Sequence, residues 1–204
     1  MEYLLLGFLT SLSLILAIGA QNIFVIEQGL KKQYIFIVCL ICSVSDGILI
    51  FLGLFLFHYF NQYFNSTVEL IFNILLLIFL IHFIYSKIKS RNNSMEFNQS
   101  IKEISLKSIV FKTLGFTYLN PHVYSDTVFF LGNFSKNFLI FEKIKFGVGA
   151  SLASFLFFFL IGFLSKYSSK YAKNKNIWIK INLFIIVFLS IVSFNVILNI
   201  IKYF

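Results

Sequence analysis

The residues able to do chemistry fall into two short runs and a few isolated carboxylates. One run is Ile18-Gly19-Ala20-Gln21-Asn22; the other is Tyr118-Leu119-Asn120-Pro121-His122. Gln21 and Asn22 offer neutral carbonyl and amide groups suited to an amino-acid headgroup, or to hydrogen bonds between packed helices. Gly19 lets another backbone approach or the helix unwind. Pro121 is the only proline of the chain. Inside a helix it removes one backbone bond and clashes with the preceding turn. The freed carbonyls then face a cavity or are recaptured by neighbours. A simple packing kink is the plainer reading, but Asn120 and His122 beside it point toward a site. Asp46 follows Ser43 and Ser45 within an apolar stretch. An ionised aspartate at mid-helix in a bilayer costs about 2.5–3.5 kcal/mol, so it is kept facing the bundle interior with a partner or a ligand. Its other reading is a protonated or salt-bridged structural group. Asp126 lies four residues beyond His122, on one helical face, so the two can titrate together. His122 then carries a proton or merely orients its neighbour, and Asp126 has an interfacial position as its alternative. Glu27, followed by Gln28-Gly29, reads as interfacial.

Other chemistries are excluded by what the chain lacks. Cys39 and Cys42 form a C-x-x-C inside an apolar run, with no second pair at zinc spacing, and read as small core residues. His58, His82 and His122 lie in different stretches and form no compact ligand set. There is no G-x-S-x-G, P-loop or G-x-G-x-x-G. No nucleophile is paired with a base, so an enzyme is not expected, nor is any metal or cofactor. Runs such as Phe155 to Phe159 are lipid-facing or core bulk.

These side chains must be held by elements that live in lipid. Of 204 residues 59% are apolar, 20% aromatic and 12% charged, with a mean hydropathy of +0.89. A soluble domain is near half apolar and a quarter charged, and 29 phenylalanines exceed what one soluble core could hide. Charge-free windows place the spans. Tyr3 to Ile26 has no ionised residue, Gln33 to Val68 has only Asp46, and Leu70 to Ser86 has none. After a polar stretch, Thr113 to Ser135 has only Asp126, while Phe146 to Ser165 and Ile181 to Ile201 have none. Each is long enough for a spanning helix, and backbone hydrogen bonding in lipid permits little else. Tyr34, Tyr59, Tyr63, Tyr85, Tyr167 and Trp178 sit near window ends, as interfacial aromatics do. The first window lacks a basic leader and a cleavage site, and reads as a retained span.

The net charge of +9 follows the spans and not a nucleic acid. Only Lys136, Lys143, Lys145 and Lys202 of the 17 basic residues lie outside the loops after spans one, three and five. The positive-inside rule makes those loops cytoplasmic and puts both termini outside. The expected architecture is an all-α integral membrane protein, one transmembrane domain over 1–204, with six helices as two inverted three-helix repeats. Repeat one covers about 1–86, the polar cytoplasmic loop about 87–107, and repeat two about 108–204. Matched interruptions in the first helix of each inverted half point to a transporter binding site.

The run from Ile18 through Gln21-Asn22 to Lys31-Lys32 resembles the first conserved block of the lysine/arginine exporter family, as does Cys42-Ser43-Val44-Ser45-Asp46. The run Tyr118-Leu119-Asn120-Pro121-His122-Val123-Tyr124-Ser125-Asp126-Thr127, ending at Leu131-Gly132, resembles the arginine exporter branch. The similarity extends along nearly the whole chain. One departure is Ala20, where the family usually has proline. The resemblance implies export of a basic amino acid, arginine and in second place lysine, across the bacterial cytoplasmic membrane by a multi-pass protein. A cationic side chain crossing low dielectric needs a counter-charge, and Asp46 and Asp126 are the only acidic residues well inside spans. On this view Asp46 counters the substrate cation, with Asp126 assisting, while Gln21, Asn22 and Asn120 bind the headgroup and Gly19 and Pro121 break the helices. Asp46, Asp126 and His122 are the candidates for proton coupling in an antiport. An exporter of neutral amino acids from the same superfamily is the nearest rival, and a homo-oligomer is left open. A structural membrane subunit or an intramembrane enzyme is a more distant one.

The orientation is directly testable. A Ser94→Cys variant should resist impermeant thiol reagents in intact cells, compared with the parent carrying Cys39 and Cys42. Ready labelling would reverse the topology.

Overall fold

The computed structural model describes residues 1–16, 19–63, 66–92, 105–172 and 175–202. All regular structure among them is helical: α1 Glu2–Ile15, α2 Ala20–Lys31, α3 Ile35–Tyr63, α4 Ser66–Asn92, α5 Leu106–Tyr118, α6 Pro121–Tyr124, a π-helical segment Ser125–Phe130, α7 Leu131–Phe134, α8 Ile140–Ala172 and α9 Lys175–Ile201. Among the described residues three helices are long and apolar enough to cross a membrane, within Ile35–Phe57, Ile140–Lys170 and Ile179–Ile201. The bent pair α1 and α2 makes a fourth if counted as one span. In α4 the apolar stretch is shorter, Leu70–Tyr85. The middle of the polar stretch, 93–104, lies outside the described residues, and so do Ile18 and the side chains of Tyr59, Tyr63 and Trp178.

Two windows that read as single spans are interrupted. The axes of α1 and α2 differ by 83°, and α2 starts after Gly19, which is extended with φ −111° and ψ −177°. That backbone suits any residue, and a Cβ on Gly19 would meet nothing within 4 Å. Neither space nor dihedral angle therefore demands glycine here. The second window breaks between α5 and α6. Leu119 closes α5 through its N–H to the Gly115 carbonyl at 3.1 Å, and Asn120 leaves the helical region at ψ 109°, as a residue before proline does. The Asn120 Oδ1 accepts from the His122 N–H at 3.1 Å, and Pro121 takes the first helical position. There its missing N–H forfeits no helical bond. Pro121 thus opens a helix instead of kinking one, which differs from its mid-helix reading.

The packing crosses between the two halves of the chain. α1 and α2 both lie along α8, while α5, the π segment and α7 lie along α3; α3 packs on α8, and α4 on α9. α2 is enclosed, with nine of its twelve residues buried, polar ones included. Its Phe24 and Val25 join the largest core cluster with Val38, Cys39, Leu80 and Phe116. The rim is apolar, exposing side chains such as Leu9, Phe36, Ile78, Phe141 and Ile191, as a lipid-facing coat requires. The tightest crossing joins α1 and α8. A Cβ on Gly7 would collide with the Phe146 carbonyl, and one on Gly149 with the Leu4 carbonyl. Helices in lipid associate by such close small-residue contact.

Two outcomes follow. Gly149→Val should separate α1 from α8 at about 1–3 kcal/mol or more, read as a lower melting temperature in detergent. Ala20→Pro should be tolerated or should stabilise by about 0.4–1 kcal/mol, since position 20 begins a helix after an extended residue. A destabilised Ala20→Pro protein would contradict that placement.

Candidate functional site

The two chain breaks meet across the molecule. Gln21, in the first turn of α2, donates from Nε2 to Thr117 Oγ1 in the last turn of α5 at 3.1 Å. Thr117 donates in turn to the Thr113 carbonyl at 2.9 Å, so its lone pair is left to receive the amide. Asn22 spans the first break: its Nδ2 donates to the Ile15 carbonyl at 3.1 Å. That carbonyl ends α1 and has no partner within its own helix. Asn120 does the matching task at the second break by capping α6. Each break is therefore held open by an asparagine, one serving a carbonyl and the other an N–H.

Asp46 sits where these parts converge. It is 3% exposed, and its Oδ2 accepts from Ser154 Oγ of α8 at 2.9 Å. Its Oδ1 is buried and has no hydrogen-bond partner. Gln21 and Asp126 are further polar neighbours of this carboxylate. Cys42, one turn earlier on α3, is fully buried and lies beside both Gln21 and Thr117. A buried carboxylate with one oxygen held and the other empty is an acceptor awaiting a donor.

Five elements thus contribute: α2 with Gln21, α3 with Asp46, α5 with Thr117, α8 with Ser154, and the π segment with Asp126. Asn22 and Asn120 are buried at 6% exposure each and shape the breaks through the bonds above. Asp126 is half-buried, and His122 is exposed although it remains an electrostatic neighbour of Asp126. His122 precedes the π segment, which begins at Ser125, and from four residues before Asp126 it stays within electrostatic reach of that carboxylate.

Thr117 and Ser154 were not singled out by sequence reasoning, and Cys42 was read only as a small core residue and as part of the block that ends at Asp46. Hydroxyl residues bonding back to a carbonyl four positions earlier are ordinary in apolar helices, as Thr113 does to Ile109 at 2.8 Å. Nothing local marks Ser154 as the one that turns to a carboxylate. Glu27, expected near an interface, is buried inside the protein at 1% exposure and ion-paired with Lys31 one turn on. The enclosure of α2 on nearly all sides overrides its position near a helix end. Among the described residues no group of histidine, cysteine or acidic side chains could hold a metal ion.

Comparison with known proteins gives a consistent account. A family model described as LysE type translocator matches residues 12–199. The arginine exporter protein ArgO of Pectobacterium atrosepticum is 30% identical over 180 residues, 88% of either chain. The putative amino-acid transporter YggA of Aeromonas salmonicida is 33% identical over 158 residues, 77% of each. The ArgO protein of Salmonella enteritidis is 28% identical over 195 residues, 95% of this chain and 92% of its own. No solved structure matches. With this match along almost its whole length, the chain belongs to the LysE-type translocator family, amino-acid exporters and not enzymes, as a multi-pass protein of the bacterial inner membrane.

Proposed function

We propose that this protein exports arginine, and secondarily lysine, using Asp46 as the counter-charge for the substrate cation. The observation that carries the reading is the Asp46 carboxylate, with Oδ2 held by Ser154 and Oδ1 unpartnered between the two helix breaks. A guanidinium has planar N–H groups that match a carboxylate oxygen and can serve neighbouring acceptors at once. Asp126 is the second acidic side chain within electrostatic reach. Gln21, Asn22 and Asn120 supply amide groups for the amino and carboxylate ends of the substrate. A neutral amino acid would leave the buried charge at Asp46 unanswered, and this disfavours the rival substrate class.

In this reading the chain forms six spans as two inverted triplets. The bent α1–α2 pair and the broken α5–α7 stretch would be the first span of each. The crossed packing supports it, since the first span of each half lies along the second span of the other. Gly19 and Pro121 stand at corresponding breaks, where unwound backbone faces substrate in transporters of this design.

Export of a cation against an inside-negative potential costs about 2.3 kcal/mol per 100 mV. Exchange of one inward proton for one outward cation moves no net charge and lets the pH gradient drive the step. Desolvation favours the neutral form of an empty carboxylate site, and an arriving guanidinium favours the ionised form. Substrate would thus displace a proton from Asp46, to be regained after release outside. Asp126 and His122 are the candidates to relay it.

Counterflow of labelled arginine, lysine and leucine in proteoliposomes tests the substrate. Asp46→Asn should abolish arginine counterflow while the protein still reaches the membrane, Asp46→Glu should keep a fraction, and Asp126→Asn should be milder. Normal arginine counterflow by Asp46→Asn at full abundance would sink the mechanism.

A further inference from the structure

A second buried carboxylate lies on the same helix as Gln21, and the mechanism above does not use it. Glu27 is 1% exposed, whereas the Lys31 side chain paired with it is 25% exposed. Lys112 of α5 is the other charged neighbour of this pair. Its Nζ stands 5.8 Å from the centre of the Phe83 ring. A surface ion pair within one helix would place both partners in solvent; this one buries the acid and leaves the base partly exposed.

Glu27 is also in line with Asp46. Along α2, Gln21, Phe24 and Glu27 follow one another at steps of about 4.5 Å. On α5 the matching order runs backwards from Thr117 through Phe116 to Lys112. Gln21 meets Thr117 at 3.1 Å, Phe24 stacks on Phe116 with centroids 4.7 Å apart, and Glu27 is within electrostatic reach of Lys112. Phe79 and Phe83 complete the middle level, standing edge-on to Phe116 at 4.8 and 4.9 Å. Two charged levels are thus separated by one aromatic level, whose ring faces attract cations. The same end of α2 buries two more acceptors, the Oε1 atoms of Gln28 and Gln33, without hydrogen-bond partners.

We propose that Glu27, one turn along α2 from Phe24 and its ring partners Phe116 and Phe83, is a second cation site on the transport path, where the guanidinium or alkylammonium of the substrate takes the place of Lys31 before passing the aromatic level to Asp46. This rests on the exporter reading. Lys31 and Lys112 then act as built-in stand-ins for the substrate, keeping the acid paired while no substrate is present. The exchange replaces one charge-assisted bond by another, so the carboxylate is never left bare.

The test uses full-length protein in proteoliposomes and reads KM and maximal rate separately, from each face. Glu27→Gln should raise the arginine KM about tenfold, the loss of one charge-assisted contact, from the Lys31 face alone and with little change in maximal rate. Lys31→Met, which removes the competitor, should lower that KM severalfold. An unchanged KM in Glu27→Gln at full membrane abundance, or a raised KM in Lys31→Met, would overturn the site. Should Glu27→Gln fail to accumulate, Glu27→Asp is expected to shift KM in the same direction, and an unshifted KM counts against the site.

A transport-independent measurement separates this idea from the exporter reading. With Cys39 and Cys42 replaced by alanine, alkylation of Lys31→Cys should be slowed by arginine, lysine or agmatine and not by leucine. Protection without arginine transport would retain the site and remove the exporter reading. Transport without protection would do the reverse.

Discussion

A carboxylate removed from water has to be surrounded by donors or by a countercharge, and the centre of this molecule is organised by that demand at Asp46. One oxygen is held by Ser154 across the α3–α8 contact. Gln21 stands beside it and is itself oriented by Thr117. Neither of these neighbours brings a positive charge. Among the described residues the acid is answered by the dipoles of Ser154 and Gln21, which lower the solvation penalty without neutralising the charge. Such an environment holds a cation when one arrives and lets it leave. A lysine or arginine in the same place would satisfy the carboxylate permanently and close the site.

The two helix breaks follow from the same demand. A continuous helix spends its backbone groups on itself and offers none to a ligand. Ending α1 at Ile15 and α5 at Tyr118 exposes backbone dipoles, which then need local partners. Asn22 supplies one at the first break and Asn120 at the second. At the first break the asparagine gives a structural account that does not require glycine for sterics, whereas at the second it acts together with the steric demand of Pro121 on position 120. Ala20 and Pro121 both begin a helix, so the first break survives where its family usually carries proline.

The helical nature of the chain and its membrane setting were legible because both rest on composition and on the length of charge-free windows. Asp46, Gln21, Asn22 and Asn120 were legible because polar groups in apolar runs are expensive and rare. Other features depend on tertiary placement and leave no such trace. Ser154 differs from other serines only by which helix it faces. The π turn at Ser125–Phe130 is written in ordinary helix-compatible residues. The burial of Glu27 left no trace either, because its sequence neighbours, Gln28-Gly29 and Lys31-Lys32, describe a helix end, while the fold packs α8, α3 and α5 against that helix.

The glycine crossing of α1 and α8 has a consequence for the order of assembly. Gly7 and Gly149 touch each other's helices but are separated by roughly 140 residues of chain, and synthesis proceeds at about 5–20 residues per second. Helix α1 therefore waits on the order of ten seconds after its own synthesis before its partner exists. During that time its small-residue face has only lipid, or the insertion machinery, to lie against. Membrane helices insert singly and associate afterwards, and here the association that matters most for α1 is among the last to become possible. A truncated nascent chain lacking α8 would hold α1 with its packing face unclaimed, a state that quality-control proteases can recognise.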